Sequence, residues 1–251
     1  RPSVAVEKLW EAILTTSRCV SDDPIKEWEE HNRDLEERCK YLNSLKIKTL
    51  VYKASNGTDL RVGMIPQAKF MGGGEYSLLG NYFNPNIPSE ECFTTPMKGM
   101  AEGIVFSSKP LSYRGQLIDN FSIRFSEGKA IEVHAEQNEE LLRQLITADE
   151  GSGYLGECAL VPYDSPIRNS GLLFYNTLFD ENAACHLALG RGFTNCIENY
   201  ENYTKEELHA LGVNDSMLHE DFMIGTKDLS ITAETEDGKK AQIFKDGNWA
   251  F

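Results

Sequence analysis

The hydrophobic pattern changes character once along the chain, close to residue 46. From the start to Leu45 the apolar residues recur at intervals of three and four, which is the period of amphipathic helices. The pattern breaks once, and there Ser21 or Asp22 can cap a second helix whose first turn holds Pro24. We expect this helical arm, residues 1–46, to serve packing or dimerisation.

Beyond the arm, short runs rich in β-forming residues alternate with turn residues. The runs predict strands at 48–53, 60–64, 103–106, 116–125 and 130–135. Helical spacing returns at 136–147, around 183–189 and at 205–211. The predicted fold class is therefore α+β, in which the helical arm precedes a mostly antiparallel or mixed β-sheet core with helices, residues 47–251.

Composition narrows the range of partners. The 251 residues include 25 basic and 39 acidic side chains, and the net charge of −14 repels nucleic acids and anionic membrane surfaces. No apolar run approaches the roughly 18 to 20 residues that span a bilayer. The six cysteines are scattered and form no CxxC pair, which favours a reducing compartment and a cytoplasmic protein.

The segment LHEDFMI near the end of the chain holds two potential metal ligands. In a strand, His219 and Asp221 point to the same face because side chains alternate with a period of two. A histidine and a carboxylate on one face are a common start for a zinc, cobalt or manganese site. The same pair also fits a surface ion pair, and the residues alone leave both interpretations open.

A second histidine, His186, lies among small and apolar residues in the segment FDENAACHLALG. Asp180 can cap a helix here and Gly190 can end it. A hydrogen-bonded core histidine and a metal ligand are both compatible with this setting. Glu181 lies five residues earlier and would have to bend back to share a metal with His186.

Two carboxylates occupy apolar or constrained surroundings: Glu91 in NIPSEECFTTP and Glu157 in LGECALVP. Burying an unpaired carboxylate costs several kilocalories per mole, and bringing several carboxylates together adds repulsion. Divalent cations between them would offset both penalties. The motifs for serine nucleophiles and for HExxH zinc sites do not occur in the sequence.

The segments NIPSEECFTTP, GECALVPYDSPI, FDENAACHLALG and LHEDFMIG occur in this order, and they resemble the metal-site motifs of the aminopeptidase T family, also called aminopeptidase S. The VEKLWEAI and TDLRVGM segments are also similar to that family, so the resemblance covers nearly the whole chain. The family's N-terminal region has no counterpart in it. The resemblance implies a metalloaminopeptidase, a hydrolase that acts on peptides with a free N-terminus.

The resemblance also implies which residues form the site. Two divalent ions, which could be zinc, cobalt or manganese, would bind within residues 47–251. The candidate ligands are Glu91, Glu157, His186, His219 and Asp221, and Glu181 is a sixth candidate. Glu157 would bridge the ions beside an activated water, and Glu91 or Glu181 would move a proton to the leaving amine. The family also implies a homodimer.

One position departs from the family. Phe193 stands where the family has a tyrosine that assists catalysis, and a phenyl ring cannot donate a hydrogen bond. Either another group, such as Tyr200 or Tyr203, supplies the hydroxyl, or the enzyme works without it. Two alternatives therefore stay open: a degenerate, noncatalytic dimerisation or interaction module, and a two-metal hydrolase of phosphoesters, which the scarcity of basic residues near the motifs disfavours.

Overall fold

The structure, a computed structural model, describes residues 2–251. The helices are α1 (Pro2–Thr16), α2 (Pro24–Ser44), α3 (Glu139–Ile146), α4 (Pro166–Asn169), α5 (Thr177–Glu181) and α6 (Lys205–Leu211), with 3₁₀ turns at Thr194–Cys196 and Tyr200–Asn202. Over this described range, no helix combines the length and the apolar character needed to cross a membrane.

The two predicted helices of the arm are confirmed, but the cap of the second was wrongly placed. Asp23 caps α2, and its side chain accepts a hydrogen bond of 3.1 Å from the backbone N–H of Lys26. Pro24 occupies the first turn as predicted. Asp23 takes this role because it immediately precedes the helix, whereas Ser21 and Asp22 are too far upstream to reach the free N–H groups.

The strands fall into a large sheet, a small sheet and a two-stranded hairpin. They are β1 (Ile47–Lys53), β2 (Asp59–Met64), β3 (Glu75–Tyr76), β4 (Tyr82–Phe83), β5 (Cys92–Thr94), β6 (Pro96–Phe106), β7 (Leu111–Tyr113), β8 (Gln116–Ser126), β9 (Lys129–Gln137), β10 (Leu155–Leu160), β11 (His186–Gly190), β12 (His219–Met223), β13 (Ser230–Thr235), β14 (Lys240–Lys245) and β15 (Asn248–Trp249). The five predicted strands correspond to β1, β2, β6, β8 and β9.

The sheet topology confirms the α+β class. The large sheet runs in the order β15-β14-β13-β1-β2-β6-β8-β7, with β9 also paired to β8, and the small sheet runs β12-β11-β10-β5. Every strand pair within residues 2–251 is antiparallel. Strands that are distant in sequence become neighbours in the small sheet, and four of the six candidate ligands lie in that sheet.

The predicted helix around 183–189 was wrong, because this part of the chain forms strand β11. The helix ends earlier, at Glu181, and all five residues of β11 are buried. A strand that lies inside a sheet and is covered on both faces has a continuous apolar pattern, which periodicity alone does not distinguish from a short buried helix. His186 therefore begins a strand, and the carboxylate of Asp180 accepts hydrogen bonds from Phe174 N and Asn176 N.

A main hydrophobic core joins the two sheets and includes α2. Leu35, Cys39 and Leu42 of α2 are buried in the same cluster as residues of β1, β8, β10 and β12. In contrast, Leu9 of α1 is 48% exposed. The second helix of the arm is thus packed into the core, whereas α1 keeps much of its apolar surface in solvent.

The different burial of the two helices leads to a first prediction. Leu42→Ala is expected to lower the free energy of unfolding by about 2–5 kcal/mol, because Leu42 is 1% exposed and its loss leaves a cavity. The matched substitution Leu9→Ala on α1 should change it by less than about 0.5 kcal/mol. Urea unfolding followed by circular dichroism measures both. Equal effects of the two substitutions would contradict the packing of α2 into the core.

Candidate metal centre

The small sheet places four of the predicted ligands on one face. Glu157 of β10 and Asp221 of β12 both lie opposite Ala188 of the central strand β11. His186 lies two residues before Ala188, and His219 lies two residues before Asp221. Because strand side chains alternate with a period of two, all four side chains leave the sheet on the same side.

Glu91 enters from the edge of the same sheet. It immediately precedes β5, whose first residue, Cys92, pairs with Leu160 of β10. The backbone there is tightly covered, since a Cβ on Gly72 would lie 2.5 Å from the carbonyl oxygen of Glu91. Glycine at position 72 therefore lets the loop lie close to the segment that carries this carboxylate.

The side chains form two groups of potential ligands that share one residue. Glu91, Glu157 and His186 make one triad, and Glu157, His219 and Asp221 make the other. In each triad the ligand atoms lie within 4.8 Å of one another. A carboxylate has two oxygens, so Glu157 can contribute to both groups.

Buried polar atoms in the triads lack the hydrogen bonds that such atoms normally make. Glu91 Oε2 lies 3.1 Å from His186 Nε2, and Asp221 Oδ1 lies 3.5 Å from His219 Nε2. Nevertheless, in the described part of the chain neither oxygen has a hydrogen-bond partner of acceptable geometry. Buried oxygens without partners, beside two histidine nitrogens, are the donor set that divalent cations such as zinc, cobalt and manganese bind. The residues therefore fit a metal centre.

Both histidine rings are oriented by backbone carbonyls. The Nδ1 of His219 donates to the carbonyl of Arg191 at 2.7 Å, and the Nδ1 of His186 donates to the carbonyl of Ala184 at 3.1 Å. With the proton on Nδ1, each Nε2 is left to face the carboxylates. This is the usual arrangement around a metal-binding histidine, in which the second ring nitrogen sets the tautomer.

Glu181 lies near both triads but belongs to neither of them. It ends α5 and lines the same cleft as Glu91, Glu157 and Asp221. Burial, followed by the charge of Asp221, raises the pKa of its carboxyl to about 9, against the opposing effect of His186. The sixth predicted residue is thus brought to the centre, in a position where it can hold a proton.

The other members of the cluster also share protons when no cation is bound. Burial raises the pKa of Glu157 to about 8, despite its hydrogen bond with His219. Burial lowers the pKa of His219, but the neighbouring carboxylates of Asp221 and Glu157 outweigh this and raise it to about 11. Burial also lowers the pKa of His186, but the neighbouring carboxylates, Glu91 above all, outweigh this and hold it well above its ordinary value. Protons and cations therefore compete for the same atoms.

A cleft of about 770 Å³ opens onto the cluster. Its walls include α2, the glycine-rich loop and Phe193, whose ring centroid lies 4.7 Å from that of His219. The tyrosines expected to replace a missing hydroxyl are not among the lining residues of the described chain; Tyr200 packs against a separate apolar cluster, and Tyr203 is partly exposed. Sequence reasoning missed the cleft residues Lys69 and Asn195, because no local pattern distinguishes them from surface residues.

Comparisons with known proteins agree with this geometry. The model of the thermophilic metalloprotease family (M29) matches residues 1–249. Aminopeptidase 2 of Geobacillus stearothermophilus is 49% identical over all of this chain, and aminopeptidase AmpS of Bacillus subtilis is 46% identical over 98% of it. The chain spans 60% of the length of each of these two curated relatives. Wild-type AmpT from Thermus thermophilus has a similar structure, with a TM-score of 0.88 and 42% identity over 98% of this chain and 59% of that one.

The raised pKa values lead to a prediction for the metal-free chain. A carboxyl whose pKa is higher in the folded than in the unfolded state costs stability as the pH rises between the two values, here from 4.5 to about 8 for Glu157 and to about 9 for Glu181. A histidine with a raised pKa also loses its stabilising effect as the pH rises. The melting temperature in EDTA should therefore fall between pH 5 and pH 9.

The control for this effect is a variant that removes one buried titrating group. Glu157→Gln should flatten the pH dependence in EDTA, whereas Glu132→Gln on the exposed surface should leave it unchanged. Saturating manganese should flatten it in the unmodified chain, because bound cations displace the protons. An equal slope for Glu157→Gln and the unmodified chain would contradict the titration of this cluster.

Proposed function

The chain belongs to the thermophilic metalloprotease family M29, and on that premise we propose that it forms the catalytic part of a metal-dependent aminopeptidase. The proposed reaction releases N-terminal amino acids from peptides. The observation that carries the proposal is the pair of ligand triads sharing Glu157. The substrate class comes from the names of the relatives, which are aminopeptidases.

We propose that the two triads would hold two divalent ions, one by Glu91 and His186 and the other by His219 and Asp221, and that Glu157 would be available to both. Cations bound in such sites supply Lewis acidity, which activates water and polarises the scissile carbonyl. Zinc, cobalt and manganese all suit a mixed set of carboxylates and imidazoles.

The protein's own residues have separate tasks in this proposal. The carbonyls of Arg191 and Ala184 keep the two histidine rings in place. Glu181 lies outside both triads but lines the same cleft, so its carboxyl is placed to take a proton from water and give it to the leaving amine. Glu91 is assigned to metal binding instead, because its Oε2 lies beside His186 Nε2.

The cleft supports a peptide rather than a phosphate ester. Its lining combines the apolar side chains of Met71, Phe93 and Phe193 with an excess of carboxylates, including Glu36 and Glu181. A phosphate group would be repelled by these carboxylates. The noncatalytic alternative is not favoured, because five of the six candidate ligands lie in two groups that could each hold a metal ion. A homodimer and a cytoplasmic location stay as proposals that rest on the family resemblance and on the scattered cysteines.

Removing one ligand should separate metal binding from general folding. His219→Ala is expected to lose bound metal and to lower the hydrolysis of aminoacyl anilides by at least about 100-fold, because one triad is broken. The matched control is His134→Ala, since His134 is exposed and pairs with Glu139 at the surface. Elemental analysis and initial rates measure the two effects. Full metal content and activity in His219→Ala would refute the assignment.

The position of Phe193 yields a second test. Phe193→Tyr adds a hydrogen-bond donor at the cleft wall, and we expect kcat to rise by about tenfold with unchanged metal content. The matched control Phe251→Tyr lies at the partly exposed chain end and should have no effect. An unchanged kcat would show that this position takes no part in the reaction. Two bound ions without turnover in both proteins would instead support the noncatalytic alternative.

A further inference from the structure

A partly buried ion pair joins the helical arm to the segment that carries Glu91. Arg18 follows α1, and its Nη2 donates to both carboxylate oxygens of Glu90, at 2.9 and 2.8 Å, while its Nε donates to one of them at 3.2 Å. Glu90 is only 4% exposed. A carboxylate in such a position is stable only when paired, and a two-pronged guanidinium contact fixes its direction as well as its charge.

The second helix of the arm holds the same segment. His31 of α2 is buried, and its Nε2 donates to the carbonyl of Ser89 at 2.7 Å. The same nitrogen lies 3.7 Å from Glu90 Oε2. Trp28 packs edge-on against the His31 ring and donates from Nε1 to the carbonyl of Ser17. Helix α2 and the loop that follows α1 therefore both contact the residues just before Glu91.

Glu90 also connects two of the candidate ligand segments. Its backbone N–H donates to Asn182 Oδ1 at 2.7 Å. Asn182 is fully buried, and its Nδ2 donates to the carbonyl of Leu178 at 2.8 Å. Because Glu90 precedes Glu91 and Asn182 follows Glu181, this one hydrogen bond ties together the backbones that present two carboxylates to the cleft.

The sheet itself does not fix this part of the chain. The pairing of β5 with β10 starts at Cys92, so Glu91 lies just outside the hydrogen-bonded ladder. A side chain outside the ladder is held less precisely than one within it, such as Glu157. The contacts of Arg18, His31 and Asn182 supply the constraint that the ladder leaves out.

We propose that the Arg18–Glu90 ion pair is a positioning device for the metal centre, through which the helical arm sets the placement of Glu91 and Glu181. The inference rests on the two-metal site of the proposed function. Glu90 and Arg18 touch neither substrate nor metal in this scheme. They act through the backbone between Glu90 and Glu91 and through the hydrogen bond to Asn182.

The test is metal affinity in variants that keep the fold. In the 251-residue chain, Glu90→Gln and Arg18→Lys are expected to raise the dissociation constant for manganese by about 10- to 100-fold, the loss typical for residues that orient ligands. Titration calorimetry measures the affinity, and circular dichroism confirms folding. The control for the change of residue type is Arg124→Lys, which alters the exposed pair with Glu132 and should leave the affinity unchanged.

A second control separates positioning from stability. Ile123→Ala removes a buried side chain from β8 in the large sheet and should lower the melting temperature without changing the manganese affinity. If Glu90→Gln and Arg18→Lys keep the affinity of the unmodified chain, the positioning role is overturned. If the unmodified chain itself binds no manganese, zinc or cobalt, the proposed metal centre is wrong and this inference is wrong with it. Metal binding by the unmodified chain with unchanged affinity in the variants would refute the positioning role alone.

Discussion

Charge burial is the constraint on which the rest of this structure depends. Glu91, Glu157 and Asp221 are buried together within reach of two histidines. In a medium of low polarity such carboxylates repel one another and lose their hydration, so the cluster is costly unless protons or cations neutralise it. The raised pKa of Glu157 expresses that cost in the absence of cations. Bound cations would offset this cost, so the buried carboxylates favour the binding of cations.

The architecture gives this cluster a rigid base. The small antiparallel sheet carries four candidate ligands on one face of three adjacent strands, with a register that places Glu157 and Asp221 on either side of Ala188. The main core, including α2, packs against the sheet. Close packing limits the freedom of the ligands, and preorganised ligands lose less entropy on binding.

The helical arm has a greater part in the site than an amphipathic pattern indicates. The pattern correctly predicted two helices, and it is compatible with a packing or dimerisation element. However, Arg18 and His31 contact the segment next to Glu91, and Cys39 of α2 lines the cleft. These contacts link residues about 60 to 70 positions apart, and a helical period carries no information about such distant partners.

The sequence by itself determined the α+β class, the two helices of the arm, most strands of the large sheet and the residues that form the cluster. It did so because amphipathic periods, turn residues and ordered motifs are local signals. Only the tertiary structure decided that His186 lies in a strand and that Tyr200 lies away from the cleft. Those features depend on the pairing of β5, β10, β11 and β12, which are up to about 130 residues apart in the chain. Burial of the whole core determines that pairing, and no short segment of sequence contains the information for it.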